Sequence, residues 1–161
     1  FYPRLVDQIG MFDETLLTNE DYEFNARIRQ SGGKIWFDPQ IRTIYYARHT
    51  LKALAQQYWR YGFWKWQMLR RYPETIRWRQ ALPPLFVVGL LMLMILAVFL
   101  PLARWALIAV LVLYFGVLLA TGLHHAIKQK SLAIMPGFAL AVATMHLTWG
   151  AGFLWGMLNP Q

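Results

Sequence analysis

The chain has 161 residues, a formal net charge of +8, a hydrophobic fraction of 57% and no cysteine. The apolar share exceeds the roughly 45–50% of ordinary globular proteins and is concentrated in the second half, which excludes a single soluble core. The absence of cysteine excludes disulfides and thiolate metal sites, and the placement of the basic residues argues for membrane phosphate rather than nucleic acid.

The chain opens on Phe1-Tyr2-Pro3 with no signal-peptide pattern, which reads as the start of a fragment with sequence missing upstream. Val6 to Phe12 is a short apolar patch containing Gly10 and closed by Asp13-Glu14. Thr18 or Asn19 can cap a helix, and the acids at 20, 21 and 23 suit its positive N-terminal end. The spacing predicts that this helix runs through Tyr22, Phe24, Ala26 and Ile28 and stops at Ser31-Gly32-Gly33. Lys34 to Phe37 reads as a strand, Asp38-Pro39 as a turn, and Ile41 to Tyr46 as a second β-rich segment.

From Thr50 the period becomes helical. Leu51, Leu54, Ala55, Tyr58, Trp59 and Tyr61 form an apolar and aromatic stripe, with Lys52, Arg60 and Lys65 among it. Gly62 interrupts the pattern, which Trp64, Trp66, Met68 and Leu69 resume. A helix so rich in Trp, Tyr and Arg suits the headgroup layer, and Arg77-Trp78-Arg79 reads as a second anchor there. Three apolar blocks follow, at about 82–103, 106–123 and 132–158, each near the length that crosses a hydrocarbon core of roughly 30 Å. Gly150, Gly152 and Gly156 in the third block favour close helix packing.

All eight acidic residues precede position 80. Nine Arg or Lys residues fall between Arg42 and Arg79, against the single acid Glu74, immediately before the first apolar block. Cytoplasmic loops carry this kind of charge, so the basic run and the Lys128–Lys130 loop are expected on that side, with Arg104 and the C-terminus opposite.

Two constellations suggest chemistry. Glu20 and Asp21 are adjacent carboxylates at a helix start, where the helix end keeps a carboxylate ionised and able to accept a proton; first-turn acids are also ordinary helix stabilisers. Gln57 and Arg60 lie three apart on one helix face and, with the Tyr61 ring beside them, suit a diphosphate or sugar hydroxyls. An interfacial helix whose Arg meets lipid phosphate explains the same residues. Asp13 and Glu14 are candidates for lining an acceptor cleft or for capping. No metal ligands are assigned within the chain. His146 lies inside the third block, at a depth where a polar group needs a partner.

The order Gly10-Met11-Phe12-Asp13-Glu14, Glu20-Asp21-Tyr22-Glu23, Gly32-Gly33-Lys34-Ile35-Trp36-Phe37-Asp38-Pro39 and Gln57 to Tyr61 resembles the C-terminal half of family 2, GT-A-fold glycosyltransferases. The membrane-anchored bacterial enzymes of exopolysaccharide synthesis, the succinoglycan type, are the most similar. The resemblance implies an α/β fragment, the C-terminal part of a GT-A domain, over residues 1–49. Amphipathic interfacial helices would occupy 50–80, and an all-α transmembrane region of about three helices 81–161. It also implies an inverting glycosyltransferase passing a sugar from a nucleotide-sugar to a lipid-linked or polysaccharide acceptor. Asp21 would be the base, with Glu20 beside it, and Gln57, Arg60, Tyr61, Asp13 and Glu14 would bind donor or acceptor. Tyr61 stands where processive members carry Trp. The nucleotide-binding strands and a divalent cation, Mg or Mn, would belong to a missing N-terminal half, so this portion alone would be inactive. The implied location is the bacterial inner membrane, multi-pass, with the catalytic part cytoplasmic. The alternative is a non-catalytic membrane anchor that recruits a partner enzyme to lipid.

Overall fold

A computed structural model describes residues 3–75 and 77–159; the opening Phe1-Tyr2, read above as the sign of missing upstream sequence, lies outside the described residues. Six α-helices follow one another: α1 (Pro3–Ile9), α2 (Glu20–Gln30), α3 (Leu51–Arg71), α4 (Trp78–Phe99), α5 (Pro101–Lys128) and α6 (Ile134–Leu158). A 3-10 turn at Pro73–Thr75 links α3 to α4.

Among the described residues there is no β-strand, and this corrects the expected α/β fragment of a GT-A domain. Residues 34–37 and 41–46 have strand-like composition but no neighbouring strand. An extended segment becomes a strand only when its N–H and C=O groups meet a second chain segment. Here Trp36, Phe37, Ile44, Tyr45 and Tyr46 stay exposed, each by more than 70%. Asp38 makes the intervening turn, its Oδ1 accepting from the amide of Gln40 at 2.9 Å.

The N-terminal part is built on α2. Phe24, Ala26 and Ile28 are buried together with Leu16 of the preceding loop, and the Phe12 ring packs on Phe24 at 4.6 Å. Glu23 is fully buried and bridges Arg27, whose guanidinium also donates to the carbonyls of Ile9 and Met11. That bidentate pair matches the buried Glu23 charge. Three further bonds join this part to α3 and the turn after it. Arg71 bonds Asp13 at 2.5 Å and Thr15 at 2.7 Å, and the Tyr22 hydroxyl donates to the Thr75 carbonyl at 3.2 Å.

Thr50 caps α3 through its hydroxyl, which accepts from the Ala53 amide at 3.1 Å. The helix then continues through Gly62 without a break. The apparent interruption in the sequence pattern is a packing device: a Cβ at Gly62 would overlap the backbone of Trp149, and one at Gly152 the backbone of Trp59. Gly156 lies close to Phe63 and Trp66 in the same way. Small residues let two helix backbones approach, and α3 is thereby clasped to the C-terminal half of α6. The amide of Gln67 extends the clasp, donating to the Asn159 carbonyl at 3.1 Å.

α4, α5 and α6 are each long and apolar enough to cross a membrane, and their apolar side chains are largely exposed on the isolated molecule. The chain is a multi-pass membrane protein. α4 begins four residues before the expected apolar block, at Trp78, where the Arg77 amide donates to Gln80 Oε1 and the Gln80 amide to the Arg77 carbonyl. It continues past Pro83 and Pro84. Leu100 alone separates α4 from α5, with Pro101 at the first position of α5, where a missing N–H costs nothing. Arg104 turns back to the carbonyls of Ala97 and Val98. α6 packs its first half on α5 around Leu118, Ala139 and Ala143, with Gly122 against the backbone of Met135. Within this bundle His146 has a partner: its Nδ1 lies 3.0 Å from the Tyr114 hydroxyl.

Candidate functional site

The residues singled out in the sequence fall into two neighbouring cavities and one surface ion pair. The first cavity, about 810 Å³, opens between the start of α3 and the middle of α6. Arg48, Gln57, Trp59, Arg60, Tyr61 and Thr148 are among its lining. Gln57 organises it: its Oε1 accepts from Arg48 Nε at 3.2 Å, while its Nε2 donates to the hydroxyls of Tyr61 at 2.7 Å and Tyr45 at 3.2 Å. The helical spacing brings Gln57 and Tyr61 one turn apart, which is why the amide and the phenol meet. Tyr61 is therefore held edge-on against Tyr58, with ring centroids 5.6 Å apart. Arg48 was not singled out as a site residue, because its loop carries no periodic signal.

The second cavity, about 380 Å³, lies at the start of α2 and holds Glu20 and Asp21 together with Asn19, Tyr22, Lys65 and Gln80. Thr18 and Tyr61 line both cavities and form the divide between them. Asp21 Oδ1 accepts from the amide of Tyr22 at 2.7 Å, within its own helix. Asn19 precedes α2 in the left-handed region at φ 70° and makes no side-chain cap; its Nδ2 is buried without a partner.

Lys65 is the unforeseen member. It is 3% exposed, with its ammonium 3.9 Å from the centre of the Tyr22 ring and 3.7 Å from Met68 Sδ. Burial, with the nearby Arg77 charge adding to it, pushes this amine down to about 8. In the sequence it reads as one more interfacial cation; in the structure Tyr22 of α2 lies over it, in a cavity that Trp149 of α6 also lines.

Asp13 and Glu14 lie away from both cavities. Asp13 accepts from the Thr15 hydroxyl and amide and pairs with Arg71; the Thr15 hydroxyl foremost, with Arg71 beside it, holds its carboxyl below the usual range. Glu14 is exposed. Among the described residues no three His, Asp or Glu side chains gather at metal-binding distance.

Asp13 gives a first prediction. Its folded-state pKa is lowered, so its contribution to stability is present above the unfolded value and is lost as pH falls through the folded one. Asp13→Asn should destabilise the fold at pH 7 by about 0.5–1 kcal/mol as for partly exposed pairs, read as a lower melting temperature, and by less at pH 2. An equal loss at both pH values would show that the charge is irrelevant.

Comparison with known proteins gives two relatives. The chain is 30% identical over 145 residues to the succinoglycan biosynthesis protein ExoA of Rhizobium meliloti (strain 1021), which covers 90% of this chain and 42% of that protein. It is 34% identical over 68 residues to a dolichyl N-acetyl-alpha-D-glucosaminyl phosphate 3-beta-D-2,3-diacetamido-2,3-dideoxy-beta-D-glucuronosyltransferase of Methanococcus voltae, covering 42% of this chain and 21% of that protein. The chain thus spans less than half the length of either. No family model and no solved structure matches.

These likenesses do not supply the fold that the sequence motifs suggested. What is present is an all-helical, membrane-spanning bundle, and assignment to a GT-A glycosyltransferase family is corrected accordingly. The expectation of an inverting, nucleotide-sugar-dependent enzyme is corrected with it. Such a reaction needs a sheet whose strand ends carry the nucleotide, and among the described residues there is none. Asp21 and Arg60 lie in neighbouring cavities of a helical assembly, and that proximity does not replace the sheet.

Proposed function

We propose that this chain is a non-catalytic membrane anchor that holds a soluble partner domain against the bilayer in a system of surface-glycan assembly. The observation that carries the reading is the pairing of two features. The last of three membrane-length helices is clasped to α3 through Gly62, Gly152 and Gly156, and the polar part in front of them leaves an aromatic segment uncovered. A cluster of exposed Trp36, Phe37, Ile44, Tyr45 and Tyr46 is the kind of surface that a partner covers. Residues 34–37 and 41–46 have no regular secondary structure and carry no ladder among the described residues, so addition to the open edge of a partner's sheet would satisfy backbone and side chains together. The glycan setting rests on the names of the two relatives. The positive charge before α4 supports a partner on the cytoplasmic side.

The test is flotation. Proteoliposomes carrying the chain are mixed with the part of the Rhizobium meliloti relative that lies outside the aligned region, purified separately. Co-flotation with wild type, and at least a tenfold loss for Trp36→Asp combined with Phe37→Asp and Tyr45→Asp, is expected because buried aromatics dominate such contacts. Equal recovery with empty liposomes would refute the reading.

A further inference from the structure

We propose that the cavity between α3 and α6 binds one anionic phospholipid from the bilayer, its phosphate held between Arg48 and Arg60 and the start of its acyl chains lying over Trp59 and Trp155. The argument begins with charge. Two guanidinium groups line this cavity, and no carboxylate is among its described lining residues. The acids of the neighbourhood, Glu20 and Asp21, stand on the other side of the Thr18–Tyr61 divide. Arg48 has its Nε committed to Gln57, which leaves the planar end of the group to face an anion, and Gln57 is itself fixed by two tyrosine hydroxyls. Arginine's fork matches two phosphate oxygens at once.

The second observation is apolar and adjoins the first. A recess of about 240 Å³ is lined by Trp59, Arg60, Phe63 and Trp155, so Trp59 and Arg60 belong to both spaces. The Trp59 and Trp155 rings lie 6.3 Å apart, one on each helix of the clasp. Paired indoles beside a basic cavity are suited to the boundary between headgroup and hydrocarbon. The cavity also reaches Thr148, on a membrane-length helix, so it opens where lipid is the surrounding solvent. A free phosphate would use the arginines but leave the indole recess empty; a phospholipid fills both. Its volume is within the several hundred Å³ of small-molecule sites.

The inference does not rest on the partner-docking reading, since it concerns a different ligand and shares with it only Tyr45, whose hydroxyl bonds Gln57. Native mass spectrometry of the full chain in a mild non-ionic detergent tests it, with dioleoylphosphatidylglycerol, dioleoylphosphatidylcholine and inorganic phosphate as probes. One saturable phosphatidylglycerol adduct is expected, with phosphatidylcholine bound at least tenfold more weakly. Arg48→Gln and Arg60→Gln should each weaken the adduct roughly five-fold, the effect of about one basic contact with an anionic lipid. Trp155→Ala should weaken it as well. Lys52→Gln, an exposed cation of the same helix outside the cavity lining, should not. Equal binding of the two lipids would overturn the proposal. So would retention of the adduct by the double arginine variant, an equal loss in Lys52→Gln, or displacement of the lipid by excess inorganic phosphate, which would make the site one for a soluble anion.

Discussion

Leucine at Gly152 is expected to detach α3 from α6. The added side chain would start inside the space held by the Trp59 backbone, and a carbonyl on a helix cannot rotate away as a side chain can. Overpacking of ordinary cores costs about 1–3 kcal/mol, and this substitution should reach the upper end of that range or exceed it. The same holds for Gly62→Leu against Trp149. Loss of the clasp exposes Lys65, now 3% accessible, so limited trypsin digestion in detergent should cut the variant after Lys65 well before the wild type. Gly89→Leu, where an added Cβ meets nothing within 4 Å, should behave as wild type. Protection at Lys65 that outlasts the Gly152→Leu change would show that α3 is held by something other than backbone contact with α6.

Lys65→Met is expected to stabilise the protein at neutral pH. The ammonium is buried against Tyr22 and Met68, with no carboxylate bonded to it among the described residues, and burial lowers its pKa to about 8 from an ordinary 10.5. The folded state therefore holds this proton less firmly than the unfolded state. Where the unfolded chain binds more protons, stability rises with pH, so the penalty is full below about 8 and fades as pH approaches 10.5. A displacement of this size corresponds to at most about 3 kcal/mol. An apolar side chain of similar length should recover about 1–3 kcal/mol at pH 7. Tryptophan-fluorescence melts in detergent between pH 7 and 10 should show the wild type gaining stability from pH 8 upward, with a flatter profile for Lys65→Met. A variant less stable than wild type at pH 7 would mean that the ammonium is stabilised by its surroundings.

The parts of the architecture that could be read beforehand are those set by local pattern. The acids at Glu20, Asp21 and Glu23 and the Ser31-Gly32-Gly33 stop enclose the observed α2, and Thr50 is the observed cap of α3. The long uncharged run from Leu85 to Ala103 lies in α4 and the start of α5. Tertiary relations were less accessible. Lys34–Phe37 and Ile41–Tyr46 have residues that favour strands, yet a strand is a relation between two segments, and composition says nothing about whether the second is there. Gly62 looked like a fault in an amphipathic stripe because its counterparts, Gly152 and Gly156, lie some ninety residues away. Lys65 gave no sign of burial for a similar reason: what covers it, Tyr22, comes from a separate helix. Gln57, Arg60 and Tyr61 were recognisable by spacing as one helical face, whereas the contribution of Arg48 depended on how the loop before Thr50 returns.

The one-residue joint at Leu100 has a consequence for how the molecule reaches its membrane. With Arg104 covering the carbonyls of Ala97 and Val98, the bend between α4 and α5 leaves few unmet polar groups, and no hydrophilic loop follows that would have to be drawn through the hydrocarbon. The pair can enter the lipid from one side as a preformed wedge. Biogenesis is then a question of when that wedge closes relative to synthesis of α6, which must arrive before α3 finds its mate.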